Sequence, residues 1–330
     1  MNPITARELR ERFRRTGSLV FVTLWLLIIG LFGYFAYLLA RVAVGATGMI
    51  GGFAPLLASA SMGRFMLQLF LLLLLTAVIF VAPGLSALSI VGERERQTFP
   101  LVQVSQLGAY QIVLGKLGSS LAYLLLLLVA AAPLLVLPAL FGGVTVGDVL
   151  GGLGAVLVTA TTIGALGLWM SSAARSSRGA VASSYVWAFS LGLGTFLLLT
   201  AELLLLGQGR AGPFDSRGRE LYSAWLNPYM AMVSAVEDPP GGQTVGTPGP
   251  FLPIQFLLQA RQGNPEALGP LVEDQPVRRG PLWVRSLAAA ALLSALGLAR
   301  AARAVRAPRR RQLMVRRRRR TTPEPAGGGP

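Results

Sequence analysis

Gly92-Glu-Arg-Glu-Arg-Gln-Thr-Phe-Pro-Leu-Val-Gln-Val-Ser-Gln-Leu-Gly-Ala-Tyr-Gln-Ile-Val-Leu-Gly-Lys116 separates two long apolar runs. It opens on four alternating charges and closes on the only lysine of the chain. Before it lies Phe65 to Val91, with five consecutive leucines at 71–75, and after it Leu117 to Leu140. Runs of that length with almost no charge cross ~30 Å of hydrocarbon at ~1.5 Å per residue. A bilayer leaves open backbone groups without partners, so spanning segments close their hydrogen bonds as helices. A barrel would need short alternating segments. The connector therefore decides the fold: an all-α polytopic membrane protein, with a surface insert between its second and third spans.

Working outward, six spans are predicted, at about 18–40, 65–91, 117–140, 149–170, 180–206 and 281–299. They form one transmembrane domain over 18–299, preceded by an amphipathic segment 1–17 and followed by an Arg-rich tail 300–330. The hydrophobic fraction is 53% and the charged fraction 13%, which argues against two soluble domains. Residues 41–64 read as a Gly-rich outer loop, and Pro83-Gly84 predicts a kink or local unwinding in the second span. The long outer loop 207–280 is mostly polar and slightly acidic. Within it, Asn227-Pro228 starts a short helix, because Asn caps free N–H groups and Pro fits the first helical position. That helix is too short to span, so it lies on the outer surface or dips into the protein. The last span is alanine-rich and the weakest of the six.

The net charge of +16 is unevenly placed. Residues 1–17 carry five Arg and two Glu, and 300–330 carry eleven Arg and one Glu. Basic residues collect on the cytoplasmic side of membrane proteins. Both termini and both inner loops are net positive, which predicts a multi-pass protein of the cell (inner) membrane with both termini cytoplasmic. The tail also suits anionic lipid. It lacks the aromatic interleaving and folded module of a nucleic-acid binder, so no nucleic-acid partner is expected.

Cys and His are both absent. That removes disulfides, thiolate nucleophiles, most zinc sites and His-based general base catalysis. Gly108 to Lys116 only superficially resembles a P-loop. Six residues separate its glycines, and Leu117 stands where a magnesium-binding Ser or Thr belongs. Lys116 reads instead as an anchor where the third span meets the membrane. Glu202 is the one acidic residue inside a predicted span. It is either an interfacial carboxylate reaching water or a group acting on substrate or protons. The Ser and Thr residues at 159–162, 171–172 and 183–184 have no activating base and read as helix-packing residues. No catalytic residue and no metal site is expected, so the chain is not read as an enzyme.

In the connector itself, Pro100 can start a short helix on which Leu101, Val104 and Leu107 recur every third residue. Such a stripe needs a partner surface, either lipid or protein. The residues Glu93, Arg94, Glu95, Gln97 and Thr98, then Ser105, Ile112, Gly115 and Lys116, resemble the membrane subunits of the type-2 ABC exporter family. In that family a charged inner end of the second span leads into a short coupling helix and then into the third span. Asn2-Pro3, with Arg7, Glu8, Leu9, Arg12 and Phe13, resembles the family's N-terminal connecting helix. The chain departs from the pattern at Pro100, at Gln106 where a proline is common, and in its long 207–280 loop.

The resemblance implies a permease subunit of an ATP-driven exporter that forms the translocation pathway with a second permease copy or paralogue. A separate ABC ATPase subunit would hold the ATP and magnesium, with no cofactor bound by this chain. It also implies that Glu93, Arg94, Glu95, Arg96, Gln97, Thr98, Leu101, Val104, Ser105 and Leu107 couple to that ATPase. The alternatives are a non-transporting membrane scaffold or regulator and a motor-independent carrier.

Overall fold

A computed structural model describes residues 16–47, 54–99, 108–207, 223–236 and 282–306. The order is α1 (Thr16–Thr47), α2 (Ala54–Glu95), α3 (Ala109–Leu140), α4 (Val146–Ala173) and α5 (Ser177–Phe189). A π-helical turn (Ser190–Gly194) then leads to α6 (Thr195–Gly207), α7 (Ser223–Leu226), α8 (Pro228–Ala235) and α9 (Leu282–Val305). The described residues contain helices, turns and no strand. Five helical segments among them are long and apolar enough to cross a membrane. These are α2, α3, α4, the α5–π–α6 rod and α9, so the alanine-rich last segment qualifies. In α1 the apolar stretch Val22–Phe35 is shorter. The connecting-helix residues Arg7, Glu8, Leu9, Arg12 and Phe13 lie outside the described residues. So do the stripe residues Leu101, Val104, Ser105 and Leu107, most of the 207–280 loop, and the tail beyond Arg306.

The centre of the bundle is α4, which packs against α2, α3, α5, α8 and α9. Phe70, Leu71, Leu74, Leu75 and Val78 of α2 are buried, at the spacing of one helix face. Between helices in lipid, close packing matters more than the hydrophobic effect. Accordingly the bundle brings glycines to its crossings. Gly152 of α4 faces Leu71, Gly167 faces Ser86, and Gly297 of α9 lies against the Ala165 backbone. Of the hydroxyls read as packing groups, Ser171 and Thr162 bond across helices. Ser171 Oγ accepts from the Ile90 and Val91 N–H groups at 3.0 Å each, and Ser294 Oγ donates to Thr162 Oγ1 at 3.2 Å.

Three expectations change. Residues 41–64 are less of a loop than composition suggested, because α1 runs to Thr47 and α2 starts at Ala54. Of the kink or local unwinding expected at Pro83, the unwinding does not occur: α2 stays helical through it, and Tyr185 Oη donates to the nearby Phe80 carbonyl at 2.9 Å. The fifth span is not uniform, since its middle turn is π-helical. Thr195 Oγ1 bonds the Leu191 carbonyl at 2.5 Å there, and Asn227 Nδ2 reaches the Gly192 carbonyl at 3.4 Å.

The Asn227-Pro228 start is borne out. Asn227 Oδ1 accepts from the N–H groups of Tyr229 at 2.9 Å and Met230 at 3.1 Å. Of the two placements open to α8, the protein uses the second: Met230, Met232 and Val233 are buried. The α3–α4 turn also carries a cap. Thr145 and Asp148 form a reciprocal capping box, and Arg64 Nε donates to the Gly143 carbonyl at 2.7 Å.

Candidate functional site

The C-terminal end of α2 meets the start of α3, the end of α4, the start of α5 and the end of α9. The backbone makes this convergence possible by stopping α2 sharply. The Thr98 N–H donates to the Glu93 carbonyl at 3.0 Å and the Gln97 N–H to the Arg94 carbonyl at 3.1 Å. That pair of bonds is a Schellman stop, with Gln97 in the left-handed region at φ 58°. Glycine is the usual residue there. A non-glycine residue in this conformation costs roughly 1–2 kcal/mol, against ~0.5–1 kcal/mol of extra chain entropy for glycine. Gln97→Gly is therefore expected to raise the thermal midpoint in detergent by an amount worth about 0.5–1 kcal/mol. Gln97→Val should lower it, and a loss with both variants would contradict this reading of the turn.

Three consecutive side chains fan out from this stop to different helices. Glu93 Oε1 accepts from Lys116 Nζ of α3 at 2.7 Å. Lys116 also donates to the Ser89 carbonyl at 2.7 Å, and its side chain is 2% exposed against 28% for Glu93. Arg94 Nη1 donates to the Ser172 carbonyl at the end of α4 at 2.6 Å, and Nη2 to the Ala304 carbonyl of α9 at 3.3 Å. Its guanidinium also lies over the Phe99 ring, 5.2 Å from the centroid. Cations at helix C-termini meet the negative end of the backbone dipole, so one Arg clasps two such ends. Glu95 accepts from the Ser177 N–H at 2.6 Å and from Ser177 Oγ, placing a carboxylate at the N-terminus of α5. It lies beyond the apolar run that ends at Val91. Beneath the fan sits a separate apolar cluster that includes Ile90, Phe99, Ile112, Leu117, Leu168 and Val305.

The four charges, expected to couple to a partner, instead find several of their partners within the bundle, and this bundle end is called the joint below. Arg96 is exposed, and its backbone N–H bonds the Gly92 carbonyl. Thr98 Oγ1 bonds the Glu93 carbonyl at 3.3 Å. The reading of Lys116 as a membrane anchor is corrected: the ammonium is buried and spent within the joint. Glu202 stands apart near the other end of the bundle, where Ser223 Oγ donates to its Oε2 at 2.5 Å. That contact ties α6 to α7 and does not bring Glu202 to the joint. No cluster of three or more metal-ligating side chains occurs among the described residues. No protein-family model matches the chain, and no curated protein matches it.

Three consecutive side chains thus join the end of α2 to four helices, α3, α4, α5 and α9.

Proposed function

We propose that the chain is the permease subunit of an ATP-driven exporter, working beside a second permease copy or paralogue and driven by a separate ABC ATPase. The observation that carries this reading is the fan at Glu93, Arg94 and Glu95. It sits where the connector leaves α2, and each side chain holds a different helix or pair of helices. The resemblance of residues 92–116 to the coupling region of type-2 ABC exporters supplies the motor. The ATPase subunits hold ATP and magnesium and close when ATP binds. Leu101, Val104, Ser105 and Leu107 receive that movement, and the joint passes it into the bundle as a two-state shift.

The orientation follows from charge. The helix ends that meet at the joint carry Arg94, Arg96, Arg175, Arg178, Arg303 and Arg306, and in sequence the basic segment 1–17 leads into α1 and the basic segment 307–330 follows α9. This end is cytoplasmic by the positive-inside rule, in the cell membrane. Counting α1 as a span gives six and returns both termini to the cytoplasm. Arg7, Glu8, Leu9, Arg12 and Phe13 then form a connecting helix on the inner surface.

Affinity purification of the full chain from its native membrane in mild detergent tests the assignment. A nucleotide-hydrolysing subunit should co-purify, most simply one encoded beside this chain. Purification of the chain alone would favour a scaffold, regulator or independent carrier.

A further inference from the structure

Near the opposite end of the bundle, a cavity of about 460 Å³ lies between α4, α7, α8 and the first half of α9. Its size falls within the ~300–1,000 Å³ of small-molecule sites. Among the described residues its lining carries no Asp, Glu, Lys or Arg. The hydroxyl and amide side chains on it are those of Thr159, Thr162, Asn227 and Ser286, and three of these are engaged. Thr159 Oγ1 donates to the Ala155 carbonyl at 2.9 Å. Thr162 Oγ1 donates to the Val158 carbonyl at 2.9 Å and accepts from Ser294. Asn227 caps α8 and reaches Gly192.

Ser286 differs. It is only 5% exposed, and its Oγ has no hydrogen-bond partner among the described residues. Helix hydroxyls commonly bond a carbonyl one turn back, as Thr159 does with Ala155. A buried hydroxyl without a partner costs about 1–3 kcal/mol, which a ligand group would recover. A charged ligand would meet no counter-charge on these walls and would lose its hydration.

We propose that this cavity binds an uncharged, largely apolar small molecule through one hydroxyl or carbonyl group bonded to Ser286 Oγ. The site stands independently of the motor-coupling reading, because it uses none of the joint residues.

Trp225 and Trp283 line the cavity, so a bromine-bearing probe bound there quenches their fluorescence. The full chain in lipid nanodiscs is titrated with terminally brominated decanol and, separately, with bromodecane. Saturable quenching is expected, with the alcohol half-saturating about tenfold below the alkane, the worth of one hydrogen bond. Ser286→Ala should remove that preference and keep alkane binding. Gly154→Leu should abolish both, since a Cβ at Gly154 meets nothing within 4 Å and the added side chain has room to fill the space. Linear, non-saturating quenching would overturn the site. So would an alcohol preference that survives Ser286→Ala, a comparison that decides the matter even if Gly154→Leu does not fold.

Discussion

Lys116→Met is expected to lower the stability of the folded chain by about 3 kcal/mol, read as a drop in the unfolding midpoint in detergent. The lysine is almost fully buried and neutralises Glu93 at 2.7 Å. Removing it leaves a carboxylate whose Oε2 is already buried without a hydrogen-bond partner among the described residues. It also strips the Ser89 carbonyl of the Lys116 donor. Losing one partner of a buried pair costs about 3–5 kcal/mol, and the lower end applies because Glu93 keeps some solvent contact. Replacing both partners, as Lys116→Met with Glu93→Leu, should recover much of the loss, because the uncompensated charge goes too. The double-mutant cycle should give a coupling energy above about 1 kcal/mol. Additive single and double losses would show that the pair contributes nothing specific.

Gly167→Val is expected to cost about 3 kcal/mol or more by forcing α2 and α4 apart. A Cβ on Gly167 would collide with Ser86 Oγ and lie 2.9 Å from Ser86 Cβ. Ser86 is fully buried, and its hydroxyl is bonded to the Ala82 carbonyl at 2.9 Å, so it has nowhere to turn. Only a few residues along, Ser171 crosses between the same two helices to the Ile90 and Val91 N–H groups. Separation at Gly167 would therefore loosen the wall of the joint as well. The control is Gly154→Ala on the same helix, where nothing lies within 4 Å of the new methyl and helix propensity gains up to ~1 kcal/mol. Ser86→Gly should rescue Gly167→Ala at least in part. Equal effects of alanine at Gly154 and Gly167 would contradict the close crossing.

Much of the bundle was legible because its signal is one-dimensional. An apolar run of twenty-odd residues needs no partner to declare itself a helix. The cap at Asn227-Pro228 was legible for the same reason, since a cap acts within three residues. The interior of the joint was not. Arg94 binds the Ser172 and Ala304 carbonyls, which any residue would provide, so no side-chain pattern marks them. Glu95 binds the backbone and hydroxyl of Ser177, a residue that reads as ordinary loop. Lys116 was visible as the lone lysine, but its burial depends on α2 and α3 lying side by side. The π-turn at 190–194 escaped for a similar reason: Gly192 and Gly194 signal flexibility in sequence, whereas the contact from Asn227 arrives from another segment.

The proposed function makes the connector between α2 and α3 the surface that an ATPase motor grips. Its most direct test is a photo-crosslinking amino acid at Leu101 of the full chain in native membranes, with adducts identified by mass spectrometry. The expected result is a covalent adduct to a nucleotide-hydrolysing ABC subunit, with a yield that changes when a non-hydrolysable ATP analogue is added. Adducts confined to lipid, or to proteins without a nucleotide-binding domain, would contradict it.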